Sequence, residues 1–138
     1  IITRFAIEKG EITYYSLNME TTQIETIQKQ IADFATDREW DQFHTPKNLA
    51  MALTVEASEL MEIFQWKTSD ESKAILKDEL RSEQVEEEIA DILIYALRFA
   101  NVLNIDVDEA IQKKIVKNAK KYPVEKAKGN SLKYNQLS

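Results

Sequence analysis

The chain has 138 residues, 43% hydrophobic and 30% charged, which suits one globular domain and excludes a disordered chain. It holds only two Gly and two Pro, too few for the frequent turns of an all-β protein, and no Cys, which excludes disulfide, thiolate–zinc and iron–sulfur chemistry. The net charge of −6 argues against a basic face for nucleic acid, and no run of about eighteen apolar residues is present to span a membrane.

Residues 1–18 alternate weakly (Ile1, Ile2, Phe5, Ile7, then Ile12 and Tyr14) and lack helical periodicity. They read as an extended N-terminal arm or as a leader preceding Met19. A helical domain is expected over 19–123 and a polar, basic tail over 124–138, with Gly129 as a turn point. The absence of Cys and of a signal-peptide layout makes the cytoplasm the expected location.

The first helix is expected to open near Thr22, with Glu25 at the capping-box spacing, and to fade before Trp40. Its apolar stripe is Ile24, Ile27, Ile31, Phe34 and Ala35. The second has Thr45 as cap and Pro46 in the first turn, and its stripe of Leu49, Ala52, Leu53, Leu60, Ile63 and Phe64 runs to about Trp66. A short helix is expected within Asp70–Leu80, capped by Ser69. The next long helix should start near Ser82 and end near Leu103, and the last should run from Asp106, with Glu109 at the capping-box spacing, to just before Pro123. The expected fold is therefore all-α, with four main helices and a short one. From Ile89 to Ala100 the third long helix is apolar nearly all round, so it needs cover on several sides. That points to a homo-oligomer, dimer or tetramer, with this helix near the centre of a bundle.

Two acidic pairs carry the chemistry: Glu56 with Glu59, and Glu88 with Asp91, each three residues apart on one helical face. In a chain this rich in charge such pairs arise by chance and are mostly solvated. Position argues otherwise here. The stripe of the second helix steps 49, 53, 56, 60, 63, and that of the third long helix steps 85, 88, 92, 95, 99. Glu56 and Glu88 thus take places where apolar residues are expected. An unpaired buried carboxylate is costly, and two such helices facing one another would repel; a bound cation removes both difficulties. Four oxygen ligands suit Mg²⁺ or Mn²⁺. The lone His44 lies in a loop and no Glu-x-x-His occurs, which argues against a di-iron bundle and against zinc.

No Gly-rich phosphate loop is present. Lys114, Asn118, Lys121 and Tyr122 lie along the end of the last helix, where sequence alone explains lysines better as solvated residues favoured by the helix dipole. Trp40, Phe43 and Trp66 flank the second helix, either stacking on a base or packing at helix ends.

The stretch REWDQFHTPKNLAMALTVEASELMEIFQW, followed by VEEEIADILIYAL, KKIVKNAKKYP and KAKGNSLKY, resembles the MazG-like nucleotide pyrophosphohydrolases, and within them the dCTP pyrophosphatase branch. The resemblance covers roughly 24–134. It implies an all-α, oligomeric, Mg²⁺-dependent enzyme that hydrolyses (d)NTPs to (d)NMP and pyrophosphate. It implies Glu56, Glu59, Glu88 and Asp91 as metal ligands, and Lys114 and Asn118 facing the phosphates or sugar, with Lys121 and Tyr122 beside them. It implies Trp40, Trp66 and Tyr95 in the nucleobase pocket, with Phe43 and His44 at its rim. One position departs from the pattern: Ile31 stands where the vertebrate dCTP enzymes carry His, which relaxes the expected selectivity from dCTP towards dATP or a broader set. The expected reaction is attack of water on the α-phosphorus, with Glu59 or a neighbouring acid taking the proton, Glu56 assisting and Lys114 adding positive charge. Glu62, one turn further on, is better explained as a solvated residue than as a participant. The partner is then a small nucleotide, with no nucleic acid polymer and no membrane. Two other readings remain open: a non-catalytic helical oligomerisation module, and a related all-α enzyme acting on dUTP or phosphoribosyl-ATP.

Overall fold

A computed structural model of the chain describes the backbone of residues 2–8 and 11–17 and the whole of residues 22–137. The elements in order are strands β1 (Ile2–Glu8) and β2 (Glu11–Leu17) and helices α1 (Gln23–Thr36), α2 (Pro46–Phe64), α3 (Ser69–Lys73), α4 (Glu79–Val102), α5 (Val107–Lys121) and α6 (Val124–Ala127). Single 3₁₀ turns occupy Trp40–Gln42, Ile75–Lys77 and Tyr134–Gln136. The four main helices expected are present, and the short helix α3 lies close to where it was expected. The extended segment within 1–18 is an antiparallel pair in which Ile2 faces Leu17 and Ile7 faces Ile12 in register. Among the described residues no helix is long and apolar enough to cross a membrane.

The chain divides into two compact units, one of residues 25–105 and one of residues 1–24 with 106–138. In the first, α2 and α4 form the principal helix pair. Leu49 is its most deeply buried large side chain, 1% exposed, and Ala35, Ile75 and Ala100 are buried with it. The second unit joins β1 and β2 to α5, α6 and the tail. Thr22 Oγ1 donates to Asp108 Oδ2 there at 2.6 Å.

Helix starts follow side-chain caps, two of them not where the sequence reading put them. Thr45 accepts from the Asn48 N–H at 3.2 Å, with Pro46 in the first turn, as expected. Asp106 accepts from the Glu109 N–H at 2.8 Å. The cap of α3 is Thr68, not Ser69: Thr68 Oγ1 accepts from the Glu71 N–H, and the Glu71 carboxylate accepts from the Thr68 N–H at 2.8 Å. This reciprocal pair satisfies two donors that a Ser69 cap leaves open. Helix α4 begins at Glu79, not near Ser82, because Asp78 accepts from the Arg81 N–H at 3.1 Å. It stops where Asn104 turns left-handed at φ 53° and the Ile105 N–H bonds the Ala100 carbonyl at 2.9 Å. Gly129 takes the positive φ of 79° that the tail's turn requires.

Leu49→Ala should lower stability by about 2–5 kcal/mol, because it removes packed atoms and leaves a cavity between α2 and its neighbours. A denaturant midpoint that falls at unchanged slope is the expected result; an unchanged midpoint would place the core elsewhere.

Candidate metal and nucleotide site

The periodicity of α2 and α4 decides where their acids sit. On α2, Leu49 is buried and Ala52, Leu53, Glu56, Leu60 and Ile63 are half-buried in register, so Glu56 occupies an inward position. On α4, Val85, Glu88, Ile92, Tyr95 and Phe99 make the matching half-buried row. Where the two rows meet, a carboxylate oxygen from each of Glu56, Glu59 and Glu88 lies within 4.8 Å of the others. Glu88 Oε2 is itself buried and, among the described residues, has no hydrogen-bond partner.

An orphaned carboxylate oxygen facing two like charges is unfavourable without a cation. Desolvation pushes the Glu56 carboxyl above its ordinary value, and the charges of Glu59, Asp91 and Glu88 add to the rise. Glu88 is pushed up by desolvation and then by Glu59, Asp91 and Glu87. Asp91 lies outside the close triangle, yet its charge reaches both. Tyr95, one turn along α4 from Asp91, has its hydroxyl pKa raised by burial and by Glu56 and Asp91. The donor set is oxygen only and negatively charged, which fits Mg²⁺ or Mn²⁺ and not a softer metal.

A cavity of about 410 Å³ opens beside the triangle, lined by Glu59, Glu62, Ile63, Gln65, Arg81, Gln84 and Glu88. Glu62 thus lines the space next to the acids. Arg81, which donates to Gln84 Oε1 at 2.8 Å, brings a cation to that wall. Sequence reading passed over both Arg81 and Gln84. Gln84 sits about one turn before Glu88 and Arg81 about two, and nothing local distinguishes them from a solvated helix start.

The aromatic residues before α2 belong to an ordered loop. Glu39 takes the left-handed conformation at φ 55°, ending the turn after α1 and opening the 3₁₀ turn at Trp40. The Trp40 ring packs edge-on against Phe34 at 5.8 Å and against His44 at 6.1 Å. Phe43 is exposed, and its carbonyl accepts from Asn48 Nδ2 at 2.9 Å. Beneath the loop lies Arg98 of α4, only 6% exposed, which sequence reading also missed. Its Nη2 pairs with Asp41 Oδ1, and its Nε donates to His44 Nδ1 at 3.1 Å. Asp41 also accepts from Thr36 Oγ1 at 2.9 Å; that bond, then Arg98, holds its carboxyl below the ordinary value. His44 is held below its ordinary value by desolvation and by the Arg98 charge, opposed by Asp41. Trp66, just past α2, is 88% exposed.

The remaining expected site residues lie in the other unit. Lys114, Asn118 and Lys121 ride on α5, and Tyr122 caps it, its N–H donating to the Asn118 carbonyl at 2.9 Å. Within that unit Tyr134 packs edge-on against Tyr122 at 6.2 Å, and Lys121 Nζ stands 4.6 Å from the Tyr134 ring centroid.

The MazG-like family matches residues 51–137. The dCTP pyrophosphatase 1 proteins of Bos taurus and Homo sapiens are each 37% identical over 123 residues, covering 89% of this chain and 72% of theirs. The crystal structure of a pyrophosphatase from Archaeoglobus fulgidus is 42% identical with a TM-score of 0.69, covering 78% of this chain and 99% of that one.

Two measurements follow from the electrostatics. Because the folded-state pKa of Glu56 is raised, its favourable contribution is complete below the ordinary value and is lost as pH rises through the raised one. Glu56→Gln should therefore raise the melting temperature of metal-free protein at neutral pH, and a lower one would mean that Glu56 is already compensated. His44 is the chain's single histidine, so its imidazole resonance is unambiguous. Its midpoint should fall below 6.5, with its contribution to stability present above 6.5 and lost as pH falls through the depressed value. A midpoint above 6.5 would mean that Asp41 outweighs burial and Arg98.

Proposed function

The chain belongs to the MazG-like family, and from that membership we propose that it is a Mg²⁺-dependent nucleotide pyrophosphohydrolase that converts (d)NTP and water to (d)NMP and pyrophosphate. The observation that carries the reading is the triangle of Glu56, Glu59 and Glu88 with its orphaned Glu88 oxygen. Relatives named dCTP pyrophosphatase and a similar structure named pyrophosphatase support the reaction class.

Glu56, Glu59, Glu88 and Asp91 would hold Mg²⁺, with Mn²⁺ as a substitute. When bound, the ion supplies charge stabilisation for the phosphates and lowers the pKa of water. Glu59 is the exposed member of the triangle and lines the adjoining cavity, so it is the candidate to accept the proton of the attacking water. Attack at the α-phosphorus breaks its bond to the bridging oxygen, and pyrophosphate leaves with that oxygen. Glu56 completes the acidic arrangement from the inward side. Lys114 and Asn118 for the phosphates and sugar, with Lys121 and Tyr122 beside them, are carried by the resemblance alone. Trp40, Trp66 and Tyr95 are proposed for the base, with Phe43 and His44 at the rim. Exposed aromatic faces at Trp40 and Trp66 support a stacking role.

dCTP is the favoured substrate on the names of the relatives, with dATP or a broader set following from Ile31. Removal of surplus or modified nucleotides in the cytoplasm is the corresponding role. A homo-oligomer, dimer or tetramer, is supported by the apolar outer face of α4, where Leu93 is 55% exposed and Ile89 and Ile94 stand beside it.

The test is hydrolysis of each dNTP and NTP, dUTP included, with and without Mg²⁺, resolved by ion-exchange chromatography. Mg²⁺-dependent monophosphate and pyrophosphate are expected. Diphosphate with phosphate would place attack at the γ position, and no product from any nucleotide would overturn the enzyme reading. Glu59→Gln should lower turnover by about two orders of magnitude or more while the far-ultraviolet dichroism is unchanged. A folded, active Glu59→Gln protein would remove Glu59 from the mechanism.

A further inference from the structure

We propose that Arg98 is a positioning residue whose two hydrogen bonds, to Asp41 and His44, hold the Trp40 loop in the conformation that receives the base. The inference rests on the reading above that Trp40 stacks on the nucleobase, and adds the group that holds Trp40 in place.

A buried guanidinium needs a reason. Arg98 is 6% exposed, on the half of α4 that carries the core residue Ala100, where an aliphatic side chain would pack with no charge to compensate. It spends its donors on one short loop: Nη2 on Asp41 Oδ1 and Nε on His44 Nδ1. Those two residues flank Phe43 and follow Trp40, so both anchors fall within the 3₁₀ turn and its exit. The planar fork suits this task, since its donors diverge at fixed angles and fix an orientation as well as a distance. Lys has one flexible ammonium and cannot serve both acceptors in the same geometry.

The bond to His44 also sets the ring. Arg98 is a donor only, so Nδ1 must be the unprotonated, accepting nitrogen and the neutral ring carries its proton on Nε2. The ring so fixed is the one against which Trp40 packs edge-on at 6.1 Å, with Phe34 on the other contact at 5.8 Å. Thr36 Oγ1 donates to Asp41 from the end of α1, giving the loop a second tether. The left-handed Glu39 just before Trp40 is a conformation that a side chain adopts only where its surroundings require it. The anchors are within one loop, but Arg98 is 57 positions from Asp41 and 54 from His44. Along α4, Arg98 is one turn from Tyr95, whose hydroxyl senses Glu56 and Asp91. The residue that orders the aromatic loop therefore stands on the same helix as the acids, and the two ends of the proposed site share one rigid element.

The experiment compares the wild-type chain, Arg98→Lys, Asp41→Ala, the double variant and Trp40→Ala. It measures kcat and KM with dCTP and Mg²⁺, and dCMP affinity by calorimetry. Arg98→Lys and Asp41→Ala should each raise KM and the dCMP Kd about tenfold with kcat changed less than about threefold, since misplacement of a binding group weakens ground-state recognition. The double variant should be no worse than the poorer single one, because both break one linkage. Asp41 is exposed, so Asp41→Ala keeps the test open if Arg98→Lys fails to fold. Folded variants with unchanged KM and dCMP affinity, additive losses in the double variant, or a fall confined to kcat would each overturn the clamp. The Trp40→Ala control separates the two readings: unchanged dCMP affinity there removes the stacking role on which the clamp rests. Weakened binding in Trp40→Ala with normal binding in Arg98→Lys and Asp41→Ala removes the clamp alone.

Discussion

Like charges held close together on the α2–α4 pair are the constraint to which the rest of this molecule answers. Glu56 and Glu88 take inward positions that hydrophobic periodicity reserves for apolar side chains, and Glu59 joins them within 4.8 Å. Left to themselves these carboxylates would push the two helices apart. They are kept together by what lies on either side along the same rows: Leu49, Leu53, Leu60 and Ile63 on α2, and Val85, Ile92 and Phe99 on α4. Apolar burial supplies the attraction and the acids spend part of it, the usual relation between a functional cluster and its scaffold. The raised pKa values of Glu56 and Glu88 are the same conflict seen from the proton's side: protonation relieves the repulsion, and so does a divalent cation.

The other end of the unit settles a buried charge differently. Arg98 is enclosed, but Asp41 and His44 meet it, so its charge is compensated within the fold. The contrast separates two kinds of buried ionisable group in one helix. Arg98 is matched by protein partners and orders the Trp40 loop. Glu88, nearly three turns earlier, has an oxygen that the described residues leave unmatched, and that oxygen is where a ligand has something to contribute.

The outward side of α4 adds a third element. Ile89, Leu93 and Ile94 remain exposed on a helix whose opposite side is buried against α2, and Val55 and Met61 on α2 are exposed too. Isolated apolar residues on a surface need no explanation, but a run of them along one helix does. The homo-oligomer proposed above would cover them with a second copy of the chain and leave the acidic triangle inside each chain's own helix pair.

What the sequence by itself determined is what interactions over a few residues decide. Caps and periodicity set the long helices: Thr45 with Pro46, Asp106, and the three- and four-residue spacing of apolar positions are read within one turn of where they act. The same spacing exposed Glu56 and Glu88 as acids in apolar rows. Where two local signals compete, as Thr68 and Ser69 do before α3, a single chain gives no ranking, and the reciprocal Thr68–Glu71 pair decides it. The tertiary structure alone decided that Glu56, Glu59 and Glu88 make the close triangle with Asp91 outside it, that Arg81 and Gln84 share a cavity wall with Glu59 and Glu88, and that Arg98 reaches Asp41 and His44. Those contacts join residues far apart in the chain, and no local pattern marks one arginine in a helix as buried. Whether a charge faces solvent or a partner depends on how two helices lie against each other, a property that neither helix carries in its own residues.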